Sequence, residues 1–361
     1  MKKLLEHIIA ESSEYSDAPQ IGRATFDVPL SLLEQDPVPM PRYTRFHALT
    51  AFAFVVIAGG VVFVGHQGSV LPGGSTLSLS NDRGKSVPAS VPIRNYFETI
   101  TLSAQSAYVL DVATGKILYA KNERKILPLA SLTKVMTGLV ATDAGDASTR
   151  IAIHAAAVQE EGDSGLLPGE ELGLKDILDF TLVSSSNDGA QAIAAWAGGT
   201  FGDSSSPALP QDRFIAQMNE RARALGLSDT TFSNPTGLDL DSSTAGAYGS
   251  ARDMANLFAH IATHRPEILA ATSQDRVTVW SRDALQHTAT NTNPLATKIP
   301  GLVASKTGYT ELAGGNLVVS IDAGVAHPVV IAVLGSTEEG RFEDVSRLAK
   351  SALKQLSEKA P

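Results

Sequence analysis

From Ser131 to Asp143 apolar residues fall at 132, 135, 136, 139 and 140, the three-and-four spacing of a helix with a buried face. The same pattern returns over 174–196, 210–225 and 251–264. Near the end the period changes: "VASKTGYT", "GGNLVVSID" and "HPVVIAVLGS" are β-rich runs parted by Gly and by Asp-Ala-Gly. The stretch "EEGRFEDVSRLAKSALKQLSEKA" then closes the chain as a helix. At the start of the same region, "SAYVLDVATGKILYAKNE" (Ser106 to Glu123) reads as two short strands around the turn Ala113-Thr114-Gly115-Lys116. Strands at both ends with helices between them predict an α+β fold, an antiparallel sheet built from both chain ends with a helical cluster inserted in the middle. No internal repeat is found.

One run follows neither period. Ala48 to Gly65, "ALTAFAFVVIAGGVVFVG", carries no charge, and with Phe46 and His47 it reaches the roughly 20 residues needed to cross a hydrocarbon core of about 30 Å. A buried core helix would be shorter or amphipathic. A cleaved signal peptide would begin nearer the start and end at a small-x-small site, which does not follow Gly65. Residues 46–65 are therefore expected to form one retained transmembrane helix, with His47 and His66 at its borders. Lys2, Lys3, Arg23, Arg42 and Arg45 precede it and the next basic residue is Arg83. The positive-inside rule then makes residues 1–45 a cytosolic tail and places everything after 65 outside. Residues 66–98, rich in Gly, Ser and Pro, read as a flexible linker that spans up to about 100 Å when extended. The soluble domain is assigned to 99–361.

Composition removes several classes of function. With 43% hydrophobic and 19% charged residues the chain has material for a packed domain and is not disordered as a whole. A net charge of -9 argues against a nucleic-acid partner, since phosphate binding rests on clustered Lys and Arg. The absence of cysteine excludes disulfides, thiolate zinc sites and thiol nucleophiles. The eight histidines are scattered, and no metal site is predicted.

Three short elements can carry chemistry. A serine hydroxyl is a poor nucleophile without an adjacent base, and in "PLASLTKVMTG" Lys134 lies three residues after Ser131, on the same helical face. Spacing alone does not select this pair, because Ser351 and Lys354 repeat it in the closing helix, where a solvent-facing surface accounts for them. Context separates the copies: Ser131 follows Pro128-Leu129-Ala130 at a helix start, where free N–H groups face developing negative charge. In "VSSSNDGAQAIA", Ser185, Ser186 and Asn187 open another helix, and taken alone a helix cap is their plainer explanation. Asp188 reads as a first-turn acid that favours the helix dipole. The third element, Lys306-Thr307-Gly308, sits on a predicted strand, where glycine weakens the strand unless something approaches its backbone. A lysine, a hydroxyl and bare backbone at an exposed edge can grip a carboxylate and pair with an extended peptide.

Ser-x-x-Lys, Ser-x-Asn and Lys-Thr-Gly in this order are the set found in penicillin-binding proteins and class A β-lactamases, and the last two each occur once here. The blocks "ASLTKVMTGLVA", "LLPGEELGLKDILDFTLVSSSNDGAQAIA", "FIAQMNERARALGLSDTTFSNPTGLD" and "GLVASKTGYTELAGGNLVVS" resemble the D-alanyl-D-alanine carboxypeptidase family, the low-molecular-mass penicillin-binding proteins. The resemblance runs from about Leu102 to Ser336. It implies a β-lactamase/transpeptidase-like fold and a serine peptidase that needs no cofactor. Its substrates would be peptidoglycan stem peptides ending in D-Ala-D-Ala, and β-lactam antibiotics would be covalent inhibitors. Ser131 would attack the carbonyl between the two D-alanines while Lys134 accepts its proton. A lysine titrating near ~10.4 is a poor base, so burial and the cation Lys306 would have to lower its pKa. Ser185 would relay a proton to the departing D-alanine, and Asn187 would bind the acyl side chain and hold Lys134. Lys306 and Thr307 would bind the terminal carboxylate, Gly308 would let the strand come close, and the N–H groups of Ser131 and Tyr309 would hold the oxyanion.

The sequence also departs from the family. No arginine precedes Lys-Thr-Gly in "HTATNTNPLATKIPGLVASKTG", and the matching Asn-x-Asn holds Thr292, so carboxylate recognition is expected to rest on Thr307 and Lys306. The chain stops soon after the closing helix, without the extra β domain and C-terminal amphipathic anchor of many relatives, and the N-terminal span is expected to replace that anchor. The expected location is a bacterial cell membrane, single-pass, with the catalytic domain extracytoplasmic. A class A β-lactamase would need Glu-x-x-Leu-Asn between the second and third motifs, and residues 188–305 contain none. A D,D-endopeptidase acting on cross-links would use the same residues and stays open. A catalytically silent wall-binding protein fits poorly with the presence of every site residue.

Overall fold

The structure, a computed structural model, describes residues 95–358 except 160, 163, 202–207 and 325. The expected tail, transmembrane helix and nearly all of the linker lie outside the described residues. Among those described, no helix is long and apolar enough to cross a membrane. Chain order opens with strands β1 (Ser106–Asp111), β2 (Lys116–Lys121) and β3 (Leu127–Pro128), then helix α1 (Thr133–Ala144). Strands β4 (Arg150–Ala152) and β5 (Glu171–Gly173) lead into helices α2 (Leu174–Ser184), α3 (Asn187–Thr200) and α4 (Pro210–Ala224). Strands β6 (Thr231–Phe232) and β7 (Ala247–Gly249), helix α5 (Ala251–His264), and strands β8 (Arg276–Trp280) and β9 (Gln286–Thr290) follow. The chain ends with β10 (Leu302–Thr310), β11 (Gly314–Asp322), β12 (Pro328–Ser336) and helix α6 (Gly340–Ser357).

The main sheet has the order β10-β11-β12-β1-β2 and is antiparallel throughout. It is thus assembled from the two ends of the domain, as the sequence predicts. Alternation along its strands divides the core. Leu317, Val319, Ile321, Val329, Ile331 and Val333 face α6, packing with Val345, Leu348 and Ala352. Val318, Val330, Ala332 and Leu334 face the helical cluster. Because both faces are covered, β11 and β12 read as nearly unbroken apolar runs, a pattern more usual in parallel sheets. Helix α1 lies inside the cluster and is buried from Thr133 to Ala141 around its whole circumference. Strand β10 is the sheet's edge, and its outer side faces the helices.

Two sequence boundaries move. The predicted helical stretch over 174–196 is two helices, because Ser185 adopts φ +64° and ends α2, after which the Ser186 hydroxyl caps α3 by accepting from Gly189 N at 2.9 Å. The linker reading extends too far: Phe97 is only 5% exposed and stacks on Tyr119, and Tyr96 N donates to Gln355 Oε1 of α6 at 3.1 Å. Residues 95–98 are therefore part of the folded body.

Candidate active site

Ser131 sits in the 3-10 turn Ala130–Leu132 that feeds α1. The turn is held in a conformation it would not choose alone, since Ala130 has φ +48°. Three contacts impose it. Asn316 Nδ2 donates to Pro128 O and Leu129 O at 3.0 and 3.1 Å, while its Oδ1 accepts from Gly335 N. Thr133 Oγ1 donates to Ala130 O at 2.8 Å. Gly237, at φ +82°, packs so tightly on Ala130 that a Cβ there would lie 1.9 Å from Ala130 O. Asn316 was not anticipated, although an asparagine inside the apolar run "GGNLVVSID" was a visible signal.

Lys134 follows on the first turn of α1, fully buried, and its Nζ reaches three acceptors: Ser131 Oγ at 2.9 Å, Asn187 Oδ1 at 2.7 Å and Thr236 O at 2.8 Å. After the left-handed break at Ser185, Asn187 at the start of α3 reaches this amine. From the other side comes Lys306 on β10, also buried, whose Nζ donates to Ser185 Oγ at 2.8 Å and to Thr307 O at 2.9 Å. Burial holds the Lys306 ammonium well below the usual lysine range, and the charges of Lys134 and Arg341 push it the same way. The structure thus sets two hydrogen-bonded groups on either side of the cleft: Asn187, Lys134 and Ser131 on one, Ser185 and Lys306 on the other.

The rest of the third motif lines the edge of β10. Thr307 Oγ1 shares a hydrogen bond with Thr292 Oγ1 at 2.5 Å, and Thr292 N is fixed to Val183 O at the end of α2. At Gly308 a Cβ would stand 2.9 Å from Leu129 O and 3.2 Å from Ser131 N, so only glycine lets the strand lie this close to the serine turn. Ser305 N points off the free edge to Thr272 Oγ1. Alternation along an antiparallel strand then puts the N–H of Tyr309 on the same free edge, toward Ser131. The Tyr309 side chain is 46% exposed, leaving its backbone as the part next to the site.

Asp188 does more than favour a helix dipole. It is buried, and its Oδ2 accepts from both Ser164 N and Ser164 Oγ, at 3.1 and 2.6 Å. With Asn187 Nδ2 donating to Glu161 O at 2.6 Å, the second motif holds Glu161 and Ser164 beside the cleft. All eight residues singled out from sequence, Ser131, Lys134, Ser185, Asn187, Lys306, Thr307, Gly308 and Tyr309, lie around this one cleft.

The sequence matches the D-alanyl-D-alanine carboxypeptidase family over residues 93–338. It is 32% identical over 267 residues to D-alanyl-D-alanine carboxypeptidase DacF of Bacillus subtilis, covering 70% of this chain and 62% of that protein. It is 30% identical to a D-alanyl-D-alanine endopeptidase of Pseudomonas aeruginosa, over 76% of this chain and 86% of that one. In three dimensions it is similar to a Listeria monocytogenes penicillin-binding protein solved in its ampicillin-bound form, with TM-score 0.55 and 28% identity over 70% of this chain and 98% of the other. A family match across most of the folded body, on the residues that meet in the cleft, places this chain in the D-alanyl-D-alanine carboxypeptidase family.

Proposed function

We propose that this protein is a serine-type D,D-carboxypeptidase that removes the terminal D-alanine from peptidoglycan stem peptides through an acyl-enzyme on Ser131. The observation that carries the reading is the Lys134 amine 2.9 Å from Ser131 Oγ, with the Ser185–Lys306 pair completing the cleft. Ser131 Oγ attacks the penultimate carbonyl as Lys134 takes its proton. The oxyanion forms between the N–H groups of Ser131 and Tyr309; the loss of one such donor costs about 100-fold or more in rate. Ser185 passes a proton to the departing amine, D-alanine leaves, and water releases the acyl group.

The terminal carboxylate lies against Lys306, Thr307 and Thr292. Its negative charge favours the ammonium form of Lys306, against the burial that lowers that lysine's pKa. Thr292 supplies a hydroxyl where some relatives place an arginine, already bonded to Thr307 in the free site. Thr292→Val, close in volume, is expected to raise KM for a D-Ala-D-Ala peptide about 10-fold and leave kcat within about twofold, since it removes one hydrogen bond to a charged group. Steady-state kinetics on a soluble peptide decides this; a loss confined to kcat would place Thr292 elsewhere in the reaction.

The apolar run over 46–65 supports a single-pass anchor with the catalytic domain outside the membrane. The test of the whole reading is release of free D-alanine from a monomeric stem peptide, measured beside cleavage of a purified cross-linked dimer. Faster release from the monomer supports the carboxypeptidase. Because relatives include D-alanyl-D-alanine endopeptidases, cleavage of the dimer alone would move the assignment to cross-link hydrolysis.

A further inference from the structure

Arg341 opens α6 and is 8% exposed, yet no carboxylate among the described residues forms an ion pair with it. Its Nε has no hydrogen-bond partner. A buried cation without a counter-ion is costly and calls for a reason. Its Nη1 donates to the carbonyl oxygen of Gly308 at 2.9 Å. The side chain reaches that carbonyl past Gly315, where a Cβ would stand 3.2 Å from Arg341 Cδ. The Gly308 carbonyl and the Tyr309 N–H belong to the same peptide unit. In a trans peptide they point in opposite directions, and resonance makes them two ends of one dipole. The carbonyl end is held by a guanidinium, and the N–H end faces Ser131.

We infer that Arg341 is a positioning residue of the acyl-transfer site, whose guanidinium polarises the Gly308–Tyr309 peptide and so strengthens the Tyr309 N–H as an oxyanion donor. The inference rests on the acyl-enzyme reading above. Hydrogen bonds made in series reinforce one another, and a charged donor at one end of the peptide has the largest effect. The Glu338 and Glu339 charges approach Arg341 from the preceding turn and act on it at longer range than a salt bridge. The fold also carries Arg341 over the Tyr309 ring, with Cζ 5.7 Å from its centroid, which fixes the register of the guanidinium on this peptide.

The experiment compares the full-length wild type in detergent with Arg341→Met, Arg341→Gln and Arg341→Lys, each checked for folding by circular dichroism. Stopped-flow acylation by a fluorescent penicillin gives the pre-covalent dissociation constant and the acylation rate. Infrared difference spectra with a carbonyl-labelled penicillin give the acyl carbonyl stretch, which falls as the oxyanion donors pull harder. Arg341→Met and Arg341→Gln are expected to acylate about 10-fold more slowly, less than the loss of a whole donor, with the dissociation constant within about twofold. Their acyl carbonyl should absorb at higher frequency, and Arg341→Lys should recover most of both effects. Slower acylation with an unshifted carbonyl would make Arg341 a structural pin and overturn the inference, as would wild-type rates in the folded Met or Gln variant. If the wild type itself takes no label, the acyl-enzyme reading fails and this inference falls with it.

Discussion

Lys134→Met leaves the protein folded and slows its acylation by a penicillin about 1000-fold or more. Methionine fills nearly the volume of the lysine stem, so the buried slot in α1 stays packed. What disappears is the amine bonded to Ser131 Oγ, and a positioned general base contributes typically 100- to 10,000-fold. The upper part of that range applies because Lys134 also holds Asn187 Oδ1 and Thr236 O, so its loss frees both walls of the cleft. Those two acceptors, left without a donor, cost about 1–3 kcal/mol each, partly offset because a buried amine is removed with them. A modest fall in melting temperature beside a collapse in acylation is the expected signature. A variant acylated at the wild-type rate would show that another group takes the serine proton.

Gly237→Ala should be among the most destabilising single changes in the domain and should cut acylation about 100-fold even in the fraction that folds. An alanine Cβ would lie 1.9 Å from Ala130 O and 2.6 Å from Thr133 Oγ1, and the first of these is backbone with no flexible end to move aside. The φ of +82° adds strain of about 1 kcal/mol for any residue with a side chain. The loop also supplies the Thr236 O that Lys134 uses and the Pro235 O bonded by Thr137 Oγ1 at 2.6 Å. Relief of the clash therefore shifts the nucleophile turn, the base or both, at a cost of about 3 kcal/mol or more. Gly226→Ala is the control. Its φ of +69° is similar, but nothing lies within 4 Å of the added Cβ, so only the conformational strain of about 1 kcal/mol remains. Thermal unfolding of both variants separates the two contributions, and equal losses would show that the packing of Gly237 on Ala130 does not hold the site.

Much of this architecture could be read along the chain because its helices keep a three-and-four apolar spacing and its long strands are β-rich runs bounded by turn residues. Helix α5 begins at Ala251 and ends at His264 where the apolar spacing does, capped by the Ser250 hydroxyl on Asp253 N. Strands β10, β11 and β12 are parted by turns that a Gly-rich or Asp-Ala-Gly segment announces. The start of a new helix at 185–187 was legible from its capping residues, but the left-handed turn of Ser185 that ends α2 was not, because apolar spacing continues from α2 into α3. What breaks the helix is one residue in a left-handed conformation, which the site requires and local propensity does not ask for. The motif residues were legible through their order and uniqueness, but their mutual arrangement was not. Nothing local says that Thr292 will share a hydrogen bond with Thr307, that Asn316 will hold the serine turn, or that Arg341 will reach Gly308. Those contacts join residues 15, 188 and 33 positions apart, so each is set by packing between elements and not by local propensity.

The central claim is that Ser131 is a nucleophile activated by the geometry around it. Intact-mass measurement of the full-length chain and its Ser131→Ala variant, after incubation with a penicillin, tests it most directly. A single persistent one-drug adduct is expected on the wild type and none on Ser131→Ala. A wild type that takes no adduct, or an equal adduct on the variant, would contradict it.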